Sequence, residues 1–164
     1  MQLSAVALTF LMVVILPCHV THAQFQTDWD KPFLFECPLG RVLNKFYSVH
    51  NNRREDRRWN FGCADGPAGC VLNDCHWTDY VNNWDAPMNF MCPADYVIAG
   101  LQSYHNNGKE DRLFKFKCCS HEDHVTYSCK LTPYINNWDG VLNYEVPSEH
   151  VLTGMASVHS NKRE

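Results

Sequence analysis

Arginine and lysine side chains gather in short segments whose composition suits the binding of an anion. The members are Arg53, Arg54, Arg57 and Arg58, then Lys109, Arg112, Lys115 and Lys117, with Lys162 and Arg163 beginning a third group. A guanidinium group presents its N–H donors as a planar fork, which matches sulfate and carboxylate groups. The segments therefore predict a repeated basic surface for a glycosaminoglycan, in which several weak contacts act together. A charged, solvated face without a ligand is the alternative.

Two of these arginines follow an aspartate directly, as Asp56-Arg57 and Asp111-Arg112. Such a carboxylate could fix a turn by accepting hydrogen bonds from backbone amides, or the pair could belong to the binding surface. The whole chain has 14 basic and 18 acidic residues and a net charge of −4, which argues against a dedicated nucleic-acid binder.

Three histidines, His50, His105 and His159, stand beside turns rich in Asn. They could form a cluster that responds to pH or binds a metal, or each could simply hydrogen-bond its own turn. The segment from Cys118 to His124 also resembles a zinc-binding cluster, but its cysteines have obvious disulfide partners. We therefore predict no metal and no cofactor.

No catalytic motif accompanies these groups. The chain has no Gly-x-Ser-x-Gly sequence, no phosphate loop and no His-Glu-x-x-His sequence, so it is predicted to be non-enzymatic. A glycosidase would require two carboxylates at a defined separation, which a sequence does not give, so a secreted hydrolase stays a distant alternative.

An internal repeat positions all these residues. A shift of 55 residues aligns Trp29-Asp30 with Trp84-Asp85, and a further shift of 54 aligns the latter with Trp138-Asp139. The same shifts carry His50 to His105 and then to His159. We assign repeats to residues 24–74, 75–128 and 129–164.

Each repeat predicts short strands separated by turns. In Asp56 to Cys63, Trp59, Phe61 and Cys63 share one face, which is typical of a half-buried strand. The turn before it is rich in Asn, a residue that tolerates positive φ. No long helical period occurs, so the chain is predicted to be all-β with about four strands per repeat.

Three such repeats in one domain favour pseudo-threefold closure, trefoil-like or prism-like, because closure protects sheet edges. A two-sheet sandwich is the alternative. Glu164 aligns with Glu55 and Glu110, so the third repeat lacks its last strand, and we expect the sequence to be a fragment.

Residues 1–23 are predicted to be a cleaved signal peptide, because an apolar run from Val6 to Leu16 is followed by Pro17 and small residues. Secretion places the remaining cysteines in an oxidising compartment, where they should form disulfides.

The sequences DRRWNFGC and DRLFKFKCC, together with Cys-Pro before a Val-rich strand, resemble the dermatopontin family. The vicinal Cys118-Cys119 and the segment Tyr127 to Cys129 strengthen the resemblance. It implies a secreted adhesive protein of the extracellular matrix that contacts collagen, proteoglycan, glycosaminoglycan or cell-surface glycans. A soluble, carbohydrate-binding haemagglutinin or cell-aggregation factor of innate defence is the alternative.

Cysteine pairing follows partly from the repeat and partly from the resemblance. Cys37 and Cys63 end two strands of one repeat and are predicted to bond to each other. The repeat symmetry favours Cys92 with Cys118, whereas the family resemblance implies Cys92 with Cys119 and Cys75 with Cys118, which we prefer. Cys129 corresponds to Cys75 and should pair with the missing strand or with Cys70.

Overall fold

The computed structural model describes residues 25–66, 72–120 and 126–160. The predicted signal peptide, Cys70 and the pair Lys162 and Arg163 lie outside these residues. Every regular element in the described ranges is a strand, which confirms the all-β prediction. No helix there is long and apolar enough to cross a membrane. The strands are β1 (Phe33–Glu36), β2 (Arg41–Asn51), β3 (Asp56–Asp65), β4 (Asp74–Trp77), β5 (Met88–Met91), β6 (Tyr96–Asn106), β7 (Asp111–Ser120), β8 (Leu142–Glu145) and β9 (Gly154–Ser157).

Two long antiparallel hairpins, β2–β3 and β6–β7, dominate the fold. At one hairpin tip, Asn51 Oδ1 accepts hydrogen bonds from the backbone amides of Arg53 and Arg54. At the other, Asn106 Oδ1 accepts one from the amide of Gly108. The left-handed residues at these tips are Glu55 (φ 46°) and Glu110 (φ 48°), not the asparagines. The Asn side chains therefore close the turns by hydrogen bonding, which is a second reason for their abundance in turns.

The strands form three sheets, in the orders β1-β6-β7-β4, β3-β2-β8 and β5-β9. Apart from β4, which pairs with β7 within the second predicted repeat, each short strand pairs with a strand of another predicted repeat. β1 pairs with β6, β5 pairs with β9, and β8 pairs with β2. The first predicted repeat thus pairs with the second, the second with the third, and the third with the first. This cyclic pairing gives three sheets rather than the two of a sandwich.

The main core lies between these sheets. Leu43, Phe46, Ile98, Leu101 and Phe116 are all at most 2% exposed. They come from β2, β6 and β7, at alternate positions of each strand apart from a bulge in β2 and in β6. On β3 the rings of Trp59 and Phe61 stack at 5.8 Å between centroids, as the predicted half-buried face requires.

Among the described residues, three disulfides link strands or the residues next to them: Cys37–Cys63, Cys92–Cys118 and Cys75–Cys119. The first confirms the prediction. The pairing implied by the family resemblance for the other four cysteines is wrong, and the pairing favoured by the repeat symmetry is correct. Cys129 is an exposed free thiol among the residues that the structure describes.

The alternation of side chains along β7 explains this correction. Cys118 points into the main core, while its neighbour Cys119 packs in a second, smaller core. Cys119 lies directly opposite Cys75 in the β4–β7 ladder, with 4.1 Å between the Cα atoms. Because successive side chains of a strand face opposite ways, Cys118 is left for Cys92 on the main-core side.

Candidate functional site

A buried ion pair joins the first two repeats. Arg112 donates from Nε to Asp56 Oδ1 at 2.6 Å and from Nη2 to Asp56 Oδ2 at 2.7 Å. The side chains are only 6% and 1% exposed. Arg112 also donates to the carbonyl of Lys31 at 3.1 Å and to Ser103 Oγ at 3.4 Å. Arg112 is therefore not part of an exposed basic surface, because its donors are used inside the fold.

The Asp56 carboxylate is held in its charged form. Burial by itself would raise the pKa of Asp56, but the hydrogen bond and positive charge of Arg112 lower it more, helped by the backbone amides of Asp30 and Arg57. The net result is a pKa below the ordinary value. The Asp30 amide donates to Asp56 Oδ2 at 2.8 Å, so the carboxylate also fixes the Trp-Asp turn. This agrees with the structural alternative for the Asp-Arg pair.

Arg57, the equivalent of Arg112, connects the first repeat to the third. It donates to Ser48 Oγ at 3.0 Å and to the carbonyl of Gly140 at 3.0 Å. These acceptors are the repeat equivalents of Ser103 and Lys31. Burial lowers the pKa of Arg57, although the carboxylates of Asp139 and Asp56 act in the opposite direction. Like Arg112, Arg57 serves contacts between repeats.

Most other members of the predicted basic surface also have partners. Arg54 pairs with Asp30 at 2.7 Å, Lys109 with Asp85 at 3.2 Å, and Lys117 with Glu36 at 2.7 Å. The Arg58 guanidinium lies over the rings of Phe25 and Trp29, and Lys115 lies over the ring of Tyr80. Fewer unpaired positive charges are therefore available on the described surface than the sequence suggests.

The two hairpin tips meet at a shallow pocket of about 290 Å³. We call it the tip pocket, and its lining residues are Asp30, Arg53, Arg54, Asn107 and Glu110. It combines two guanidinium groups, two carboxylates and one amide. Such a lining offers hydrogen-bond donors and acceptors side by side, as the hydroxyl groups of a sugar require. The sequence pattern predicts the two arginines but not the acidic and amide members of the lining, because those come from a turn and from another predicted repeat.

The three histidines lie at separate junctions between repeats. His50 Nε2 is 3.6 Å from Asp139 Oδ1, and His159 Nδ1 is 3.6 Å from Asp111 Oδ1. His105 is 4% exposed, and its Nδ1 lies 3.2 Å from Asn107 Oδ1 of its own turn. In the described part of the chain they do not form one cluster. Each instead meets aspartates of a neighbouring repeat.

Two groups of side chains could supply three ligand atoms each to a cation. They are Asp30, Asp56 and His105, and Asp85, Asp111 and His159, with the ligand atoms of each group within 4.8 Å of one another. In the first group Arg112 already binds both oxygens of Asp56. In the second, Lys109 binds Asp85. In each group, one carboxylate is therefore already paired with a cation of the protein, Asp56 with Arg112 and Asp85 with Lys109.

Three disulfides, an all-β core and polar hairpin tips define a small, disulfide-stabilised β protein. Comparison with known protein families identifies the family to which it belongs. The family model for dermatopontin matches residues 27–164, so this chain belongs to the dermatopontin family.

Individual relatives agree with this assignment. The chain is 42% identical to the hemagglutinin/amebocyte aggregation factor of Limulus polyphemus, over 93% of this chain and 89% of that protein. It is 35% identical to the dermatopontin of Biomphalaria glabrata, over 79% and 85% of the two chains. It is 36% identical to Millepora cytotoxin-1 of Millepora dichotoma, over 84% of this chain and 60% of that one. No solved structure gives a significant match.

Proposed function

We propose that this chain is a secreted, non-enzymatic adhesion protein that aggregates cells by binding glycans on their surface. The tip pocket carries the proposal, because its mixed donors and acceptors suit sugar hydroxyls. The similarity to a hemagglutinin and aggregation factor over nearly the whole chain supports it. The predicted signal peptide and the three disulfides support secretion.

Aggregation requires more than one binding site per particle. We infer that the repeats close into a pseudo-threefold domain, which the cyclic strand pairing supports. The pair Asp30–Arg54 in the tip pocket then has an equivalent in Asp85–Lys109 on the second repeat. Two or more such sites on one rigid domain would link neighbouring cells through avidity.

Agglutination of erythrocytes by residues 24–164 tests this proposal. We expect agglutination to be blocked by a free neutral sugar and to be lost in the variants Arg54→Ala and Asn107→Ala. The matched control is Arg41→Ala, which removes another ion pair of an exposed arginine, with Asp65 at the opposite end of β2. Equal activity of all three variants would exclude the tip pocket as the site.

A second candidate function is binding of matrix glycosaminoglycan, proteoglycan or collagen. The exposed Arg53, which has no ion pair among the described residues, favours an acidic ligand. Retention on a heparin column separates the two candidates. Salt-sensitive retention that falls in the Arg53→Ala/Arg54→Ala variant, but not in Arg41→Ala, would favour the glycosaminoglycan. Arg57 and Arg112 are unsuitable for this test because both hold the repeats together.

A further inference from the structure

One asparagine of the tip pocket is followed directly by a glycine. Asn107-Gly108 is the only Asn-Gly pair in the sequence, and both residues are exposed at the tip of the β6–β7 hairpin. A glycine leaves its backbone nitrogen unshielded, because it has no Cβ atom. This nitrogen can attack the side-chain amide carbon of the asparagine before it, since both groups are already held close together in one chain.

The equivalent turn of the first predicted repeat has the same hydrogen bonds but lacks the glycine. There the pair is Asn52-Arg53, and both residues are exposed. In each turn the backbone amide of the second residue donates to the asparagine two positions before it, at 2.8 Å from Gly108 and at 3.0 Å from Arg53. The attacking nitrogen is therefore held alike in the two turns, and only the arginine side chain shields it in the first.

A histidine contact is a second difference between the turns. His105 is 4% exposed, and its Nδ1 lies 3.2 Å from Asn107 Oδ1. An amide oxygen only accepts hydrogen bonds, so the ring nitrogen is the donor. The Nε2 atom of His105 is buried without a hydrogen-bond partner among the described residues, so no described contact favours the other tautomer. His50, the equivalent residue, makes no described contact with Asn52.

This donor lies where the reaction needs it. When a nucleophile attacks the side-chain amide of Asn107, negative charge develops on Oδ1. A hydrogen-bond donor already placed at that oxygen stabilises the charge and lowers the barrier. Gly108 thus supplies an accessible nucleophile, and His105 stabilises the charge that the attack creates.

We propose that Asn107 is a site of spontaneous deamidation. The backbone nitrogen of Gly108 forms a bond to Asn107 Cγ and gives up its proton, and the side-chain NH₂ group leaves with that proton as ammonia. Water then adds to either carbonyl of the resulting succinimide and opens it, so residue 107 becomes an aspartate or an isoaspartate. Nothing is oxidised or reduced, and water is the only co-reactant.

The product adds a carboxylate to the tip pocket. Its lining holds two guanidinium groups and the two carboxylates of Asp30 and Glu110, so its formal charges balance before the reaction and are net negative after it. The effect on binding rests on the proposed function, because it matters only if the tip pocket holds the glycan. Since no enzyme is required, the altered fraction increases with the age of the secreted protein.

The reaction is tested by keeping residues 24–164 at neutral pH and following the mass of each proteolytic peptide over weeks. Asn107 should gain the mass of deamidation at least about tenfold faster than Asn52, and Gly108→Arg, which copies the first turn, should remove this difference. Arg53→Gly is the matched variant, because it gives Asn52 the glycine without the histidine contact. Asn52 should then react faster than in the parent but still more slowly than Asn107 of the same molecule.

Equal rates at Asn107 and Asn52 in the parent would overturn the proposal. Equal rates in Arg53→Gly would overturn the role of His105.

A second measurement compares agglutination by the parent and by the deamidated fraction, which anion exchange separates through its added negative charge. The deamidated fraction and the variant Asn107→Asp should both agglutinate less than the parent. Full agglutination by both, with loss in Asn107→Ala, would overturn the effect on the tip pocket. Full agglutination by Asn107→Ala as well would instead count against the proposed function, whereas the reaction itself is judged from the masses alone.

Discussion

Arg112 donates hydrogen bonds to both carboxylate oxygens of Asp56, at 2.6 and 2.7 Å, across the boundary between two predicted repeats. The two residues are 56 positions apart in sequence, and each belongs to an Asp-Arg pair of its own repeat. In the first repeat, Asp56 therefore binds the second repeat, while Arg57 donates to Gly140 of the third. The Asp-Arg sequence acts less as a local motif than as a connection between repeats.

Removal of one partner of this ion pair should destabilise the fold strongly. Arg112→Met leaves the Asp56 charge buried and unpaired, which we expect to cost about 3–5 kcal/mol in the free energy of unfolding. Urea denaturation of both proteins measures the difference. The exposed pair Arg54–Asp30 is the control, because Arg54→Ala should cost less than about 1 kcal/mol. Similar losses in the two variants would contradict the buried role of Arg112.

Acid should weaken the same ion pair. The pKa of Asp56 is lowered from its ordinary value of 3.8, so the folded state binds a proton less readily than the unfolded state. Its contribution to stability is complete above pH 4 and is lost as the pH falls through the lowered pKa. Thermal unfolding from pH 5 to pH 2 should show this loss, and Asp56→Asn should have a flatter profile. An unchanged slope in Asp56→Asn would show that other carboxylates cause the acid sensitivity.

The disulfide pairing gives a prediction that needs no mutation. A non-reduced digest, cut between Cys118 and Cys119 by fragmentation in the mass spectrometer, should link Cys92 to Cys118 and Cys75 to Cys119. The strand geometry requires this division because the two neighbours face different cores. The crossed pairing would show that β7 has a different register against β4.

Gly100 should be intolerant of any side chain. A Cβ atom there would lie 2.8 Å from the backbone oxygen of Phe35 on β1, and a backbone atom cannot move away easily. Gly100→Ala should therefore destabilise the β1–β6 pairing by about 1–3 kcal/mol. Gly108→Ala is the control, because the nearest atom to its Cβ would be the Asn106 side-chain oxygen at 3.3 Å. Chemical denaturation of both variants measures whether Gly100→Ala lowers the free energy of unfolding more than Gly108→Ala does.

Much of this fold follows from local sequence. The alternation of Trp59 and Phe61 on one face identifies a strand without any tertiary information, and the three Trp-Asp pairs predict a repeat. Family resemblance gave the correct family but misled the pairing of Cys75 and Cys92. That pairing depends on which face of β7 is occupied by Cys118 and which by Cys119. The geometry of the strand determines this.

The predicted basic surface shows that the sequence alone does not determine which arginines are exposed. Arg54 and Arg112 look alike in a composition window, yet one is exposed and the other is 6% exposed. The difference arises because Arg112 meets Asp56 of another repeat, and such a contact depends on how repeats are arranged in space. The sequence does distinguish the arginines that connect repeats, because Arg57 and Arg112 each directly follow an aspartate, whereas Arg54 follows Arg53.

His50 should make the fold sensitive to mild acid. Burial lowers the pKa of His50 from its ordinary value of 6.5, outweighing the attraction of Asp139, while Arg57 lowers it further and Asp56 and Glu55 raise it. The unfolded chain therefore binds a proton more readily, and stability should fall as the pH drops below 6.5. His50→Gln should have a flatter profile between pH 7 and pH 5, whereas His150→Gln, at an exposed position, should keep the slope of the parent. Urea denaturation at several pH values measures these slopes. A steeper fall in His50→Gln would mean that protonated His50 gains more from Asp139 than it loses by burial.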